Sequence, residues 1–206
     1  MALNCTCPVG AAIPTIPSSD CIENLGQIQK LILVRTIDDD GVLNSVDLAD
    51  AIILATWETL KEAKDSTKIV VTPFINNPTA SGGEARTYGS GNQVVDGVPI
   101  VLGCDPITMT AQFFQTQSSV LKALKKLNCE KLSVFLITEG GKIVGNMKDG
   151  DDDNLYPIAL SQFFVGDRIP GGFESPDMNN ISFAFYQGWD DNLKIIEPEF
   201  DALVEL

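Results

Sequence analysis

Ile107-Thr-Met-Thr-Ala-Gln-Phe113 alternates apolar and polar side chains at period two, the pattern of an antiparallel strand with one face on a core and the other in water. Directly behind it, Ser118 or Ser119 is placed to cap a helix running to about residue 128. Val120, Leu121, Leu124 and Leu127 fall on one face of that helix, while Lys122, Lys125 and Lys126 lie opposite and toward its C-terminal end, where the helix dipole favours cations. Asn128 closes it.

Working outward, the remaining signals are mostly strands. Ile28–Val34 and Lys68–Val71 read as strands, the first followed by a turn at Asp38-Asp39-Asp40-Gly41 and the second stopped by Pro73. Leu132–Thr138 and Lys142–Asn146 flank the turn Glu139-Gly140-Gly141. Ile158–Val165, Ile181–Tyr186 and Leu193–Ile196 follow, with Ile181, Phe183 and Phe185 expected to point inward. Between Asp47 and Lys64 the pattern is ambiguous: Ala51–Leu54 suits a buried strand, and Thr56 suits the cap of a short helix near 56–64. Pro8, Pro14 and Pro17 make residues 1–24 an extended arm, because proline lacks the amide donor and fixes φ. The glycine- and asparagine-rich stretch 76–97 reads as a long loop or an irregular hairpin. The expected fold is α+β and β-dominated: an antiparallel β-sandwich or open barrel over residues 25–200, with one packed amphipathic helix at about 118–128, a possible second short helix at about 56–64, and a tail at 201–206.

Composition removes several functions. The chain has 28 acidic and 14 basic residues, a net charge of −14 and no histidine, yet 44% of it is apolar, enough for a core at 206 residues. Without histidine there is no Ser-His-Asp or Cys-His nucleophile activation and no usual His-ligated zinc or iron site. The acidic excess argues against nucleic-acid binding, which rests on lysine and arginine displacing phosphate counterions. No stretch approaches the roughly 20 apolar residues of a membrane span. The N-terminus MALNCTCPVG lacks the basic lead and apolar run of a standard export signal, so none is expected. Cys5, Cys7, Cys21, Cys104 and Cys129 show no CxxC spacing and read as reduced thiols, with Cys5, Cys7 and Cys21 lacking an evident fourth partner for a metal.

The motifs that carry chemistry elsewhere are incomplete here. Thr36–Asp47 threads onto a calcium loop with Asp38, Asp40, Gly41 and Asp47 in place, but Thr36 replaces the leading aspartate and the bidentate glutamate is missing. Asp149-Gly-Asp-Asp-Asp153 lacks the corresponding glycine and closing carboxylate and reads as a solvated acidic loop, a cation site or a deliberately negative surface. Gly82-Gly83 and Gly89-Ser-Gly91 match no phosphate-binding fingerprint. Phe163, Phe164, Phe173, Phe183, Phe185, Tyr186 and Trp189 read as core and contact residues rather than a base-stacking platform, since no basic residues accompany them.

Thr72-Pro-Phe-Ile-Asn-Asn-Pro78, Gly83-Glu-Ala-Arg-Thr-Tyr-Gly-Ser-Gly-Asn92, the strand–helix unit Ile107–Cys129, Phe163-Phe-Val-Gly-Asp167, Gly171-Gly-Phe173 and Trp189-Asp-Asp-Asn-Leu193 together resemble virion structural proteins of gut bacteriophages of Bacteroides-type hosts, most similar to phage tail tube proteins. The resemblance implies a β-sandwich with one packed helix, closed into hexameric rings through shared sheet and stacked through long loops and terminal arms. It implies self-association, contact with other virion proteins, a location in the virion tail after synthesis in the host bacterial cytoplasm, no membrane partner, and no catalytic, cofactor or metal residues. DNA would pass without specific binding, since a carboxylate wall repels phosphate over about 8 to 10 Å. Asp38, Asp39, Asp40, Asp149, Asp151, Asp152 and Asp153 are the candidate lumen-facing acids. The alternatives are another virion role, such as head decoration, head–tail joining or tail termination, and, in a different class, a calcium-dependent binding module or a soluble enzyme.

Overall fold

The computed structural model describes residues 15–16, 24–94 and 97–206, so nearly all of the expected arm, with Cys5, Cys7 and Cys21, lies outside the described residues. The elements run β1 (Ile28–Arg35), β2 (Val46–Asp47), α1 (Leu54–Glu62), β3 (Val70–Val71), β4 (Asn76–Ser81), β5 (Ala85–Tyr88), β6 (Ile100–Cys104), β7 (Thr108–Phe114), α2 (Ser118–Lys126), β8 (Leu132–Thr138), β9 (Ile143–Lys148), β10 (Asp151–Tyr156), β11 (Ile158–Ile169), β12 (Met178–Phe185) and β13 (Leu193–Ile196). The chain divides into two compact units, one of Leu25–Gly82 with Pro106–Leu206 and one containing Gly83–Asp105. The fold is β-dominated and antiparallel with two helices.

In the larger unit, eleven strands form one connected sheet in the order β2-β10-β9-β8-β11-β12-β7-β4, with β1 and then β3 on the other edge of β8 and β13 on β9. The apolar runs Leu31-Ile-Leu-Val34 and Val134-Phe-Leu-Ile137 pair along the whole length of β1 and β8. Both faces of this pair are buried. Leu31, Leu33, Val134 and Leu136 face a core completed by Ala111, Phe113, Phe163, Val165, Ile181, Phe183 and Phe185 from β7, β11 and β12, and by Leu121 and Leu124 from α2. Ile32, Val34, Phe135 and Ile137 face a second core, closed by Trp57 of α1, Ile69, Ile143, Ile196 and Ala202. Residues 201–206 are thus a packed element, with Leu203 and Leu206 lying half-buried against that core.

One stretch of chain, residues 151–169, carries the sheet from one layer to the other. Its first part pairs with β9, Ile158 and Ala159 pair with β8, and Leu160 onward pairs with β12. Pro157, which has no amide donor, sits at the changeover. Two irregularities in the pairing with β12 each add one residue to β11. At the first, the Ser161 hydroxyl donates to the carbonyls of Ala184 and Phe185, and the extra residue lets Leu160 and Phe163 both point inward. At the second, the Asn128 side chain donates to the Val165 carbonyl at 3.2 Å and accepts the Val165 amide at 2.9 Å, while the buried Asn179 amide donates to Gly166. Asn128, expected to close α2, instead lies in the 3-10 turn Leu127–Cys129 that follows the helix, and fills the gap in the ladder left by the bulge.

The two helices start elsewhere than expected. Residues Ala51–Leu54 are turn and helix start, with only Ala51 fully buried: the Asp47 carboxylate accepts the Ala49 amide at 2.8 Å, and the Asp47 carbonyl accepts the amides of Asp50 and Ala51. That carboxylate-capped turn outcompetes the strand that the apolar run alone suggested. Consequently α1 begins after Ile53 and Thr56 lies inside it rather than capping it. Likewise α2 begins after Gln117 with no side-chain cap, so neither Ser118 nor Ser119 serves as one. Asp151–Asp153, expected in a loop, lie in β10, because β9 and β2 both offer backbone partners there.

Trp57 anchors the second core: its indole nitrogen donates to Ala51 at 2.8 Å and its ring meets Phe135 edge-on at 5.2 Å. Trp57→Ala is expected to cost about 3–5 kcal/mol, read as a lowered denaturation midpoint with an unchanged slope. Gly82, at the end of β4 where the chain leaves the sheet, has φ +103°, and a Cβ there would collide with the Pro106 carbonyl. Gly82→Ala is expected to cost about 1–3 kcal/mol in the same measurement.

Candidate assembly surface

The stretch 76–97, read as a long loop or an irregular hairpin, begins with β4 (Asn76–Ser81), which pairs with β7 and ends the sheet. Asn77, at φ +51°, is the extra residue in this pairing, a conformation asparagine tolerates. Pro78 removes a donor from the first half of the strand, while Thr79–Ser81 continue the edge.

The smaller unit, which groups Gly83–Asp105 with Met1–Asn24, holds among its described residues a two-stranded ribbon, β5 paired with β6, with one extra residue in β6. Ser90 and Gln93 cap a single tight turn inside its loop, and Arg86 pairs with Asp105 at its base, 3.2 Å apart. An isolated ribbon of this kind is marginal in water. Yet Tyr88, Val98, Ile100, Val101 and Leu102 are each at least half exposed, the last three being consecutive and so projecting from both faces. Exposed apolar side chains on a ribbon are what a partner covers. Phe173, fully exposed, tips the β11–β12 turn, which the Asp177 carboxylate braces by accepting the Gly171 amide. The late aromatics divide as expected into core (Phe163, Phe183, Phe185) and surface (Phe164, Phe173, Tyr186), with Trp189 stacked on Phe185 at 4.3 Å.

Of the seven candidate acids, Asp38–Asp40 lie in the turn after β1, Asp149 in the β9–β10 turn and Asp151–Asp153 in β10. Asp38 caps its own: its carboxylate accepts the amides of Asp40 at 2.9 Å and Val42 at 2.8 Å, and Ile37 bridges Leu43 below. The carboxylate that a calcium loop would aim at the ion is spent on the backbone. Asp39 and Asp40 are exposed. Leu48 donates to the Asp153 carbonyl, which brings Asp47 and Asp50 alongside. Thr36, Leu43 and Asn44 from the first turn's stem line one cavity of about 430 Å³ with Lys148, Asp149 and Tyr156 from the second. The stem of the first acidic turn and the β9–β10 turn thereby meet at one cavity, whose charged lining residues are Lys148 and Asp149. Among the described residues no three carboxylates or thiols converge as metal ligands would.

Asp151 differs from its neighbours. The Tyr156 hydroxyl donates to it at 2.5 Å and Asn154 donates to both its oxygens, which holds its carboxyl below the ordinary value of 3.8 and pushes the Tyr156 hydroxyl up. A carboxylate with a depressed pKa stabilises the fold above its unfolded value, and that contribution is lost as pH falls through the folded one. Tyr156→Phe is expected to return Asp151 upward toward 3.8, read by NMR titration of the carboxyl.

Elsewhere the surface reverses sign. Lys122, Lys125 and Lys126 of α2 and Arg168 of β11 rim a groove of about 620 Å³ floored by Leu121. Lys125 pairs with Asp167, and Arg168 donates to the Thr116 carbonyl at 2.6 Å and faces Asp177 at 4.0 Å. The spacing places these lysines opposite the apolar face of the helix and toward its C-terminal end, but carries no signal that β11 brings an arginine to them. No helix among the described residues is long and apolar enough to cross a membrane.

No protein-family model matches this chain, and no curated protein matches it. Among solved structures, the tail of an empty gene transfer agent particle, refined with sixfold helical symmetry, aligns at 12% identity over 61% of this chain and 88% of that one, with a TM-score of 0.33. The virion of a native gene transfer agent particle aligns at 10% identity over 59% and 82%, with a TM-score of 0.31. The sixfold-symmetrised baseplate of an anti-feeding prophage aligns at 7% identity over 87% and 99%, with a TM-score of 0.33. Superpositions this loose do not define a shared fold, and the functional reading rests on the chain itself.

Proposed function

We infer that the chain is a phage virion structural protein, a tail tube subunit whose copies close into rings, hexameric in the simplest case, that stack around a bore for DNA. The observation that carries this is the ribbon of β5 and β6, whose consecutive exposed Ile100, Val101 and Leu102 call for a covering partner. The resemblance in sequence and the β-dominated fold with a packed helix support it. In this reading the Thr79–Ser81 edge joins the sheet of the next subunit and the ribbon bridges stacked rings. The acidic turns, with Asp38–Asp40 and Asp149–Asp153, face the bore in this reading and let the duplex slide. The chain has no catalytic role, its partners are its own copies and other virion proteins, and its place is the virion tail.

Negative-stain microscopy of the purified chain is expected to show sixfold rings or tubes, and Val101→Asp is expected to abolish stacking while leaving a folded subunit. Discrete monomers at all concentrations would overturn the reading. A reconstructed ring whose bore is neutral or positive would overturn the assignment of the acids alone.

A further inference from the structure

At a net charge of −14, copies of this chain repel one another, so a self-contact gains wherever a positive patch meets a negative one. Among the described residues, Arg35 pairs with Glu130 and Arg86 with Asp105, while Lys30 is buried over the Phe74 ring. The groove between α2 and β11 instead gathers Lys122, Lys125, Lys126 and Arg168 at one place. Lys125 and Arg168 are balanced by Asp167 and Asp177, whereas Lys122 and Lys126 are exposed and form no ion pair among the described residues. This leaves two uncompensated cations above an apolar floor.

The complementary surface lies on the far side of the central β1–β8 pair. The segment Ile196-Glu-Pro-Glu-Phe-Asp-Ala-Leu-Val-Glu-Leu206 contains four acids and no base. It is held rigidly: the Glu199 amide donates to Ile52, the Asp201 amide to the Glu205 carboxylate, the Leu203 amide to the Asp201 carboxylate, and Lys61 to the Leu206 carbonyl. Ile196, Phe200, Ala202, Leu203 and Leu206 are turned into the second core, while Glu197, Glu199, Asp201 and Glu205 are left outward along with Val204. Glu58 and Glu62 of α1, which packs on that same core through Trp57, are exposed as well.

We propose that the groove between α2 and β11 receives the acidic C-terminal segment of a second copy of this chain, with Lys122 and Lys126 meeting Glu197 and Glu199. The proposal rests on the reading that the chain self-assembles and adds the contact that holds copies together. α2 packs into the core on one face of the β1–β8 pair and the C-terminal segment into the core on the other, so the contact joins two different patches. A contact of that kind repeats from copy to copy and closes a ring or extends a filament.

Sedimentation velocity on the full chain, with Lys122→Glu/Lys126→Glu and Glu197→Lys/Glu199→Lys as reversed partners, tests it. Wild-type association is expected to weaken by about tenfold or more between about 0.05 and 0.5 M salt. Each double variant alone is expected to lose association by at least about tenfold, because it sets like charges against each other. An equimolar mixture of the two is expected to recover it, and circular dichroism melts report that each is folded. If the lysine double variant fails to fold, Lys122→Glu alone, mixed with the same partner, carries the test.

Rings that persist unchanged in both variants overturn this contact and leave the tube reading standing. Salt-sensitive oligomers that are not rings, broken by each variant and restored by mixing, support the contact and overturn the ring. A wild-type chain that stays monomeric at low salt overturns both. A short fluorescent DNA duplex bound by the wild type and released by Lys122→Glu/Lys126→Glu, with association unaffected, assigns the groove to nucleic acid and overturns the contact.

Discussion

The rest of the structure depends on the pairing of β1 with β8, because both of its faces are apolar. A strand pair with one wet face could be finished by a single layer packed against it. Here Leu31 and Leu33 demand cover on one side while Ile32 and Val34 demand it on the other. The first side is covered by folding the sheet over itself, which brings β7, β11 and β12 across and α2 in beside them. The second is covered by α1 and the C-terminal segment, which explains why the last six residues pack instead of trailing.

Folding a sheet onto itself requires a strand that belongs to both layers. Residues 151–169 serve, and the places where the chain changes partner are marked by chemistry: Pro157 where a donor is not needed, Ser161 and Asn128 where a bulge leaves backbone groups unmatched. Each device satisfies polar groups that the changeover would otherwise bury unpaired. β4 is paired on one side only, at the end of the sheet, and the β5–β6 ribbon carries exposed apolar side chains.

Much of this was legible in the chain. The alternation at Ile107–Phe113 and the apolar face of the helix behind it gave β7 and α2 nearly to the residue, because period two and period 3.6 are properties of a local backbone. Ile28–Val34 and Leu132–Thr138 were visible as continuous apolar runs, and Ile181–Tyr186, read by alternation, covers the second half of the observed Met178–Phe185. What misled was local competition: at Ala51–Leu54 an apolar run lost to a turn capped by Asp47, and at Asp151–Asp153 an acidic run that reads as loop was drawn into a strand by partners on both sides. Hydrophobicity weighs burial, but a carboxylate with backbone donors in reach, or a ladder with vacancies, decides hydrogen bonding.

The amino-acid sequence by itself determined the charge, the absence of imidazole chemistry, the β-dominated class and the faces of its elements, since each follows from composition or from the spacing of neighbours along the chain. Only the tertiary structure decided which charges act together. Asn44 and Asp149 are brought to one cavity, and Arg168 to the lysines of α2, by pairings between strands distant in sequence. Electrostatic potential sums over distance in space, and the distances were set by which strands share an edge.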